Sequence, residues 1–135
     1  MNRLFIDTSF VIALVNGKDL DHKLAVELSL LYEGFPTLIT DSVLLEIGNS
    51  LARRFRQEAI KTISSFLLSG ETEIIRLTPE LFDKAFLLYQ THKDKTWGLV
   101  DCVSFVVMND YSVNGALTND KHFQQAGFKA LMRDD

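Results

Sequence analysis

The chain has 135 residues, enough for one domain with a buried core, and its apolar (47%) and charged (24%) fractions are those of a folded globular protein. Disorder as the main state is thereby excluded, and no apolar run reaches the roughly 18 residues a membrane span needs. A net charge of −4 excludes a broad basic coat for nucleic acid, and a single cysteine, Cys102, excludes an internal disulfide and points to a reducing cytoplasm.

Arg3–Ile6 reads as a short apolar strand and Thr8–Val15 as a helix stopped by Asn16-Gly17. A basic residue before apolar ones gives this segment something of a leader peptide. Asp7 interrupts the run, however, and no small-residue cleavage site follows, so it is read as the first strand and helix of the fold. Asp21 is placed to cap a helix running to about Glu33, ended by Gly34 and Pro36. Thr37–Thr40 is a second strand. From Ser42 a helix carries Leu44, Ile47, Leu51 and Phe55 at spacings of three and four, the mark of a core-facing stripe. Asp41 is expected to cap it.

A further helix covers about Glu58–Leu68, and Glu73–Leu77 is a β-type run. Thr78-Pro79-Glu80 combines a hydroxyl cap, proline at the first helical position and an acid in the first turn, so a helix to about Thr91 is predicted. His92–Thr96 is a polar loop. Leu99–Asn109 is a helix apolar on almost every side and is expected to be buried. Gly115–Thr118 is a strand, a short helix surrounds His122–Gln125, and Phe128–Met132 is a last strand. Alternating strands and helices predict one α/β domain over residues 1–135, a three-layer α/β/α sandwich with a mainly parallel central sheet.

In such sheets ligands collect at the carboxyl ends of strands. Asp7 follows the first strand directly, and Asp120 closely follows the strand near Gly115–Thr118. Glu46 and Asp101 lie in the first turns of their helices. Asp101 stands among Leu99, Val100, Cys102, Val103 and Phe105, where an unpaired charge is costly. Capping of its own helix from the third position behind Gly98 is the competing reading, and the two are compatible because the positive helix start would keep it ionised and ready for a metal. Ser104 shares its face.

Glu46 alone reads as a solvated position paired with Arg53. Asp7 alone reads equally as a helix cap or a catalytic acid, and Asp120 alone as a turn residue or a ligand. Ser9 is placed to cap its helix or to orient Asp7. Together the four acids say more. Carboxylates about 4 Å apart repel by roughly 4 kcal/mol per pair at an effective dielectric near 20, so a fold gathers them only with a cation or raised pKa values. Oxygen donors favour Mg²⁺ or Mn²⁺ over Zn²⁺. No glycine-rich dinucleotide or P-loop segment occurs, and Ser9 in place of a second aspartate counts against an aspartyl-phosphate phosphatase.

Four segments resemble the PIN-domain family, most closely its VapC-like toxin ribonucleases. They are Phe5-Ile6-Asp7-Thr8-Ser9, then Ile39-Thr40-Asp41-Ser42 leading to Leu45-Glu46-Ile47-Gly48-Asn49, then Trp97-Gly98-Leu99-Val100-Asp101-Cys102-Val103-Ser104-Phe105, then Leu117-Thr118-Asn119-Asp120-Lys121-His122-Phe123. The resemblance implies Mg²⁺- or Mn²⁺-dependent cleavage of RNA, with Asp7, Glu46 and Asp101 as metal-binding acids, Asp120 as the more variable fourth, and Ser9 assisting. It implies a homodimer and an antitoxin partner that inserts a basic or apolar segment into the pocket. Gly98 departs from the family's usual serine or threonine cap. A catalytically silent RNA- or protein-binding module is the alternative, and retention of all four acids counts against it. DNA as substrate stays open.

Arg53, Arg54 and Arg56 either contact RNA phosphates or form a solvated helix end. Trp97 is expected to pack beneath the adjacent helix, Cys102 to be a buried structural thiol, and His22, His92 and His122 to be surface residues.

Overall fold

A computed structural model describes residues 2–133. In chain order the elements are β1 (Leu4–Ile6), α1 (Thr8–Val15), α2 (His22–Leu31), β2 (Thr37–Thr40), α3 (Asp41–Leu51), α4 (Arg56–Leu68), β3 (Thr72–Ile75), α5 (Pro79–Thr91), α6 (Leu99–Asp110), β4 (Gly115–Leu117), α7 (Lys121–Gln125) and β5 (Lys129–Ala130). The sheet runs β3-β2-β1-β4-β5 and every pairing is parallel. Right-handed crossovers set α1–α4 against one face and α5–α7 against the other. Most helix contacts follow that division, with α1 on α2 and α3, α3 on α4, α5 on α6 and α6 on α7, and a smaller contact between α3 and α6 joins the two layers. The expected three-layer sandwich is present.

From β1 the chain moves outward to β2 and β3, then crosses back to β4 and on to β5. The direction reverses beside β1, so a crevice opens at the carboxyl ends of β1 and β4. Leu4, Phe5 and Ile6 are buried, as a central strand covered on both faces requires. An aromatic cluster lies under the crevice. Phe105 of α6 meets Phe123 of α7 edge-on, with ring centroids 5.0 Å apart, and Phe123 in turn reaches Phe5 of β1 at 6.1 Å. Phe123 is thus the anchor that pins the short α7. Truncating such a ring to alanine costs about 3–5 kcal/mol. Among the described residues no helix is long and apolar enough to cross a membrane.

Three local readings are corrected. Thr40, not Asp41, caps α3. Its extended backbone lets the hydroxyl accept the Val43 amide at 3.0 Å. Asp41 is instead the first helical residue, and its carboxylate accepts the Leu77 amide beyond β3. Asp21 precedes α2 but makes no cap hydrogen bond, because its carboxylate accepts from the Asn119 side chain at 2.7 Å. Phe55 lies outside α3, half-buried at the start of α4, while Leu44, Ile47 and Leu51 are buried as expected. Thr78 caps α5, with its hydroxyl accepting the Leu81 amide.

His22 and His92 are only partly exposed. The His22 ring nitrogen lies 2.8 Å from the Ala13 carbonyl, and the His92 ring lies 5.0 Å from Trp97.

Candidate active site

Asp7, Glu46, Asp101 and Asp120 line one open cleft of about 370 Å³, together with Thr8, Ser9, Ser50, Thr96, Gly98 and His122. Four different elements deliver the acids, and contact between α3 and α6 helps bring Glu46 and Asp101 to the same opening.

Asp7 stands where β1 passes into α1, and its backbone amide donates to the Leu117 carbonyl at 3.2 Å. That bond continues the β1–β4 pairing and aims the carboxylate along the crevice. The side chain does not cap α1. Its Oδ2 accepts the Thr118 hydroxyl at 2.7 Å and the Ser9 hydroxyl at 2.9 Å. Each hydroxyl has one proton. With both directed at Asp7, the 3.1 Å approach of Ser9 to Thr118 is a contact rather than a third hydrogen bond. The two hydroxyls also accept the Asn119 and Asp120 amides, fixing the loop after β4.

Glu46 does not pair with Arg53. Its Oε1 accepts the Thr8 hydroxyl at 2.7 Å. Asp101 sits third in α6, as the capping reading requires, and its Oδ2 accepts the Gly98 amide at 3.1 Å. Glycine has no side chain to reciprocate, so only half of a capping box exists. Asp120 caps α7 through Oδ1, which accepts the His122 amide at 2.9 Å. One oxygen of each acid is therefore tethered, and no side-chain donor of a described residue reaches the other.

His122 corrects the expectation of a surface residue. Its Nδ1 lies 3.0 Å from Asp101 Oδ2 and 3.3 Å from Asp120 Oδ1, and donor atoms of the three residues all fall within 4.8 Å of one another. Asp7 and Glu46 share the cleft but lie outside this tightest group. Two carboxylate oxygens facing Nδ1 require a proton there. His122 therefore holds the acids as a donor, while Nε2 lies 3.1 Å from the Thr96 hydroxyl.

Residues 4–129 match the family model for the PIN domain. This chain belongs to the PIN-domain family. It is 31% identical over 127 residues to the 23S rRNA-specific endonuclease VapC20 of Mycobacterium tuberculosis, in strains CDC 1551 / Oshkosh and H37Rv, covering 93% of this chain and 95% of that protein. The crystal structure of VapC20, a sarcin-ricin loop cleaving toxin, has a TM-score of 0.83 at 28% identity, again over 93% of this chain and 95% of that one. The VapC-like resemblance read from four short segments thus extends along the chain.

In this PIN domain, burial pushes the Asp7 carboxyl above its ordinary range, opposed by the Thr118 and Ser9 hydroxyls and reinforced by the charge of Asp120. Burial also raises Asp101, the Gly98 amide opposes it, and Asp120 adds to the rise. Apart from His122, no described residue lining the cleft is basic. Tethered carboxylates that repel one another and lack a Lys or Arg suit a hard divalent cation.

Sequence reasoning missed Thr8 and Thr118 as parts of this arrangement and set His122 aside as a surface residue. The nearest signals were the hydroxyl beside Asp7 and the short interval from Thr118 to His122. Ser104 does not reach the site, since its hydroxyl donates to the Val100 carbonyl at 3.1 Å. Cys102 is buried, and burial followed by the charge of Asp101 pushes its thiol up to about 11, so it is an inert core residue. Trp97 is buried as expected. Arg53, Arg54 and Arg56 are exposed, with no ion pair to a described residue.

Proposed function

We propose that this chain, a single domain over residues 1–135, is a metal-dependent endoribonuclease that hydrolyses RNA phosphodiester bonds as the toxin of a toxin–antitoxin pair. The observation that carries the reading is the convergence of four carboxylates from four elements on one cleft that no Lys or Arg lines. Asp7, Glu46, Asp101 and Asp120 would hold Mg²⁺ or Mn²⁺. Such an ion supplies an activated water and stabilises negative charge developing on the phosphate. The chain's own part is positional. Ser9 and Thr118 fix Asp7, Thr8 fixes Glu46, and His122 with the Gly98 amide fixes Asp101, so each acid presents one oxygen with little reorganisation.

Similarity to VapC20 makes a ribosomal RNA loop the first substrate to try and supports an antitoxin partner, and a homodimer completes the reading. An acidic cleft suits an antitoxin segment that carries a cation. A chain with one buried cysteine suits a reducing cytoplasm. The silent binding module is not favoured, because tethering of each acid has no purpose there.

The test is cleavage of a cellular RNA pool and of a sarcin-ricin stem–loop by wild type and Asp7→Asn, with Mg²⁺, Mn²⁺ or chelator. Cutting by wild type alone, and only with metal, is expected. No cutting under any condition by protein free of partner would overturn the proposal.

A further inference from the structure

Beside the cleft lies a second cavity that hydrolysis does not use. It holds about 340 Å³ and is lined by Tyr89, His92, Lys93, Lys95, Thr96 and Trp97. Thr96 also lines the acidic cleft, so the two spaces adjoin. Trp97 forms a fixed floor. Its indole N–H donates to Gln125 Oε1 at 3.0 Å, and its ring meets Phe105 edge-on at 5.0 Å. His92 lies against it at 5.0 Å with the rings inclined by 31°, and Tyr89 beside them is 46% exposed.

Flat rings next to ammonium groups are what an unstacked nucleotide needs, because rings take the base and cations take the phosphate. Lys93 and Lys95 line this adjoining cavity in a chain of net charge −4, Lys95 also meeting Asp94 at 3.4 Å on the surface, and they offer a strand a foothold where the cleft itself repels it. We propose that this cavity binds one unpaired nucleotide next to the scissile phosphate, its base against Tyr89 and His92 and its phosphate on Lys93 or Lys95. The inference rests on the reading of the cleft as an RNA-cutting site. It makes the cavity a source of base preference beside the cut.

Trp97 is the only tryptophan in the chain, so its fluorescence reports on this cavity directly. Metal-free protein would be titrated with a single-stranded RNA hexamer and with an abasic ribose-phosphate chain of equal length. The hexamer should change Trp97 emission saturably and bind about tenfold tighter than the abasic chain. Tyr89→Ala or His92→Ala should weaken binding about tenfold and raise KM for cleavage by a similar factor, while Tyr89→Phe keeps the ring and the affinity. Leu87→Ala, exposed on the same helix outside the cavity, is the control that changes neither. Equal binding of the two chains, or wild-type affinity in both alanine variants, would overturn the proposal while the nuclease reading stood. A Trp97 response without cleavage under any metal would support the cavity and refute the nuclease.

Discussion

The two ends of α6 border two acid-lined cavities of nearly equal size, and they treat their acids in opposite ways. At the C-terminal end, a cavity of about 380 Å³ between β3, α5 and α6 includes Glu73, Glu80 and Asp110. Arg3 meets Glu73 at 2.7 Å and Lys84 meets Asp110 at 3.3 Å, Arg76 also lines this cavity, and Glu80 has no ion pair to a described residue. At the N-terminal end, the cleft of about 370 Å³ gathers four acids and is lined by no Lys or Arg. Its acids are held by hydroxyls, amides and one imidazole. Ion pairs neutralise, whereas neutral donors orient a carboxylate and leave its charge in place. That difference fits the proposal that the N-terminal cleft, and not the other cavity, receives a cation from outside.

The largest expected effect sets the two cavities directly against each other. Asp7→Asn or Asp101→Asn should lower the rate of RNA cleavage on the order of a thousandfold, as loss of about 4 kcal/mol of metal-borne stabilisation implies. Asp110→Asn, at the other end of α6, should leave it unchanged. A timed gel assay of one RNA with the three variants decides. Comparable losses from Asp110→Asn would erase the distinction.

The next effect concerns the neutral donors. Thr118→Val removes the hydroxyl from Asp7, and His122→Ala removes the donor shared by Asp101 and Asp120. Each should weaken Mn²⁺ binding by about 10–100-fold in calorimetry while the fold persists. Unchanged affinity in both would mean that the acids orient themselves.

These supporting groups are also where sequence reading fell short, and the reason is distance along the chain. Asp7, Asp101 and Asp120 were legible because each stands at a strand end or helix start that hydrophobic periodicity marks. So were the sandwich itself, the buried α6 and the Thr78 cap. Thr118 becomes a partner of Asp7 only when β4 lies beside β1, a separation of 111 residues. His122 faces two acids only because Phe123, the next residue, seats α7 against Phe105 and Phe5. Between Thr40 and Asp41 the choice of cap turned on the extended backbone of Thr40, since either side chain can cap. The two arrangements look alike in sequence and differ in the dihedral angles that β2 imposes.

A smaller effect appears in stability, with a sign that separates the cavities. Burial raises the Asp7 carboxyl above its ordinary 3.8, so the folded state disfavours its ionised form. Such a group contributes fully to stability below the unfolded value, and the contribution is lost as pH rises through the raised folded value. Asp7→Asn cannot ionise. In chelator at pH 7 it should melt a few degrees above wild type, and the gain should vanish as pH falls to about 4. Added Mn²⁺ should narrow or reverse the difference, because the ion stabilises the protein that binds it. Melting curves at several pH values, with and without metal, check both signs. A lower melting temperature for Asp7→Asn in chelator at pH 7 would mean that its hydroxyl bonds outweigh the burial of charge.

The smallest effect tests the paired cavity. Asp110 lies at the C-terminal end of α6, where the helix dipole disfavours an acid, and Lys84 offsets that field. Their side chains are 59% and 46% exposed, however, so water screens the pair. Lys84→Met should cost less than about 0.5 kcal/mol, and the cost should fade in high salt. Chemical denaturation at two salt concentrations measures it. A cost above about 2 kcal/mol would show that the acids at this end depend on a fixed cation, as the four acids of the cleft are proposed to depend on a bound one. The two ends of α6 would then differ in where the positive charge comes from, and no longer in whether it is needed.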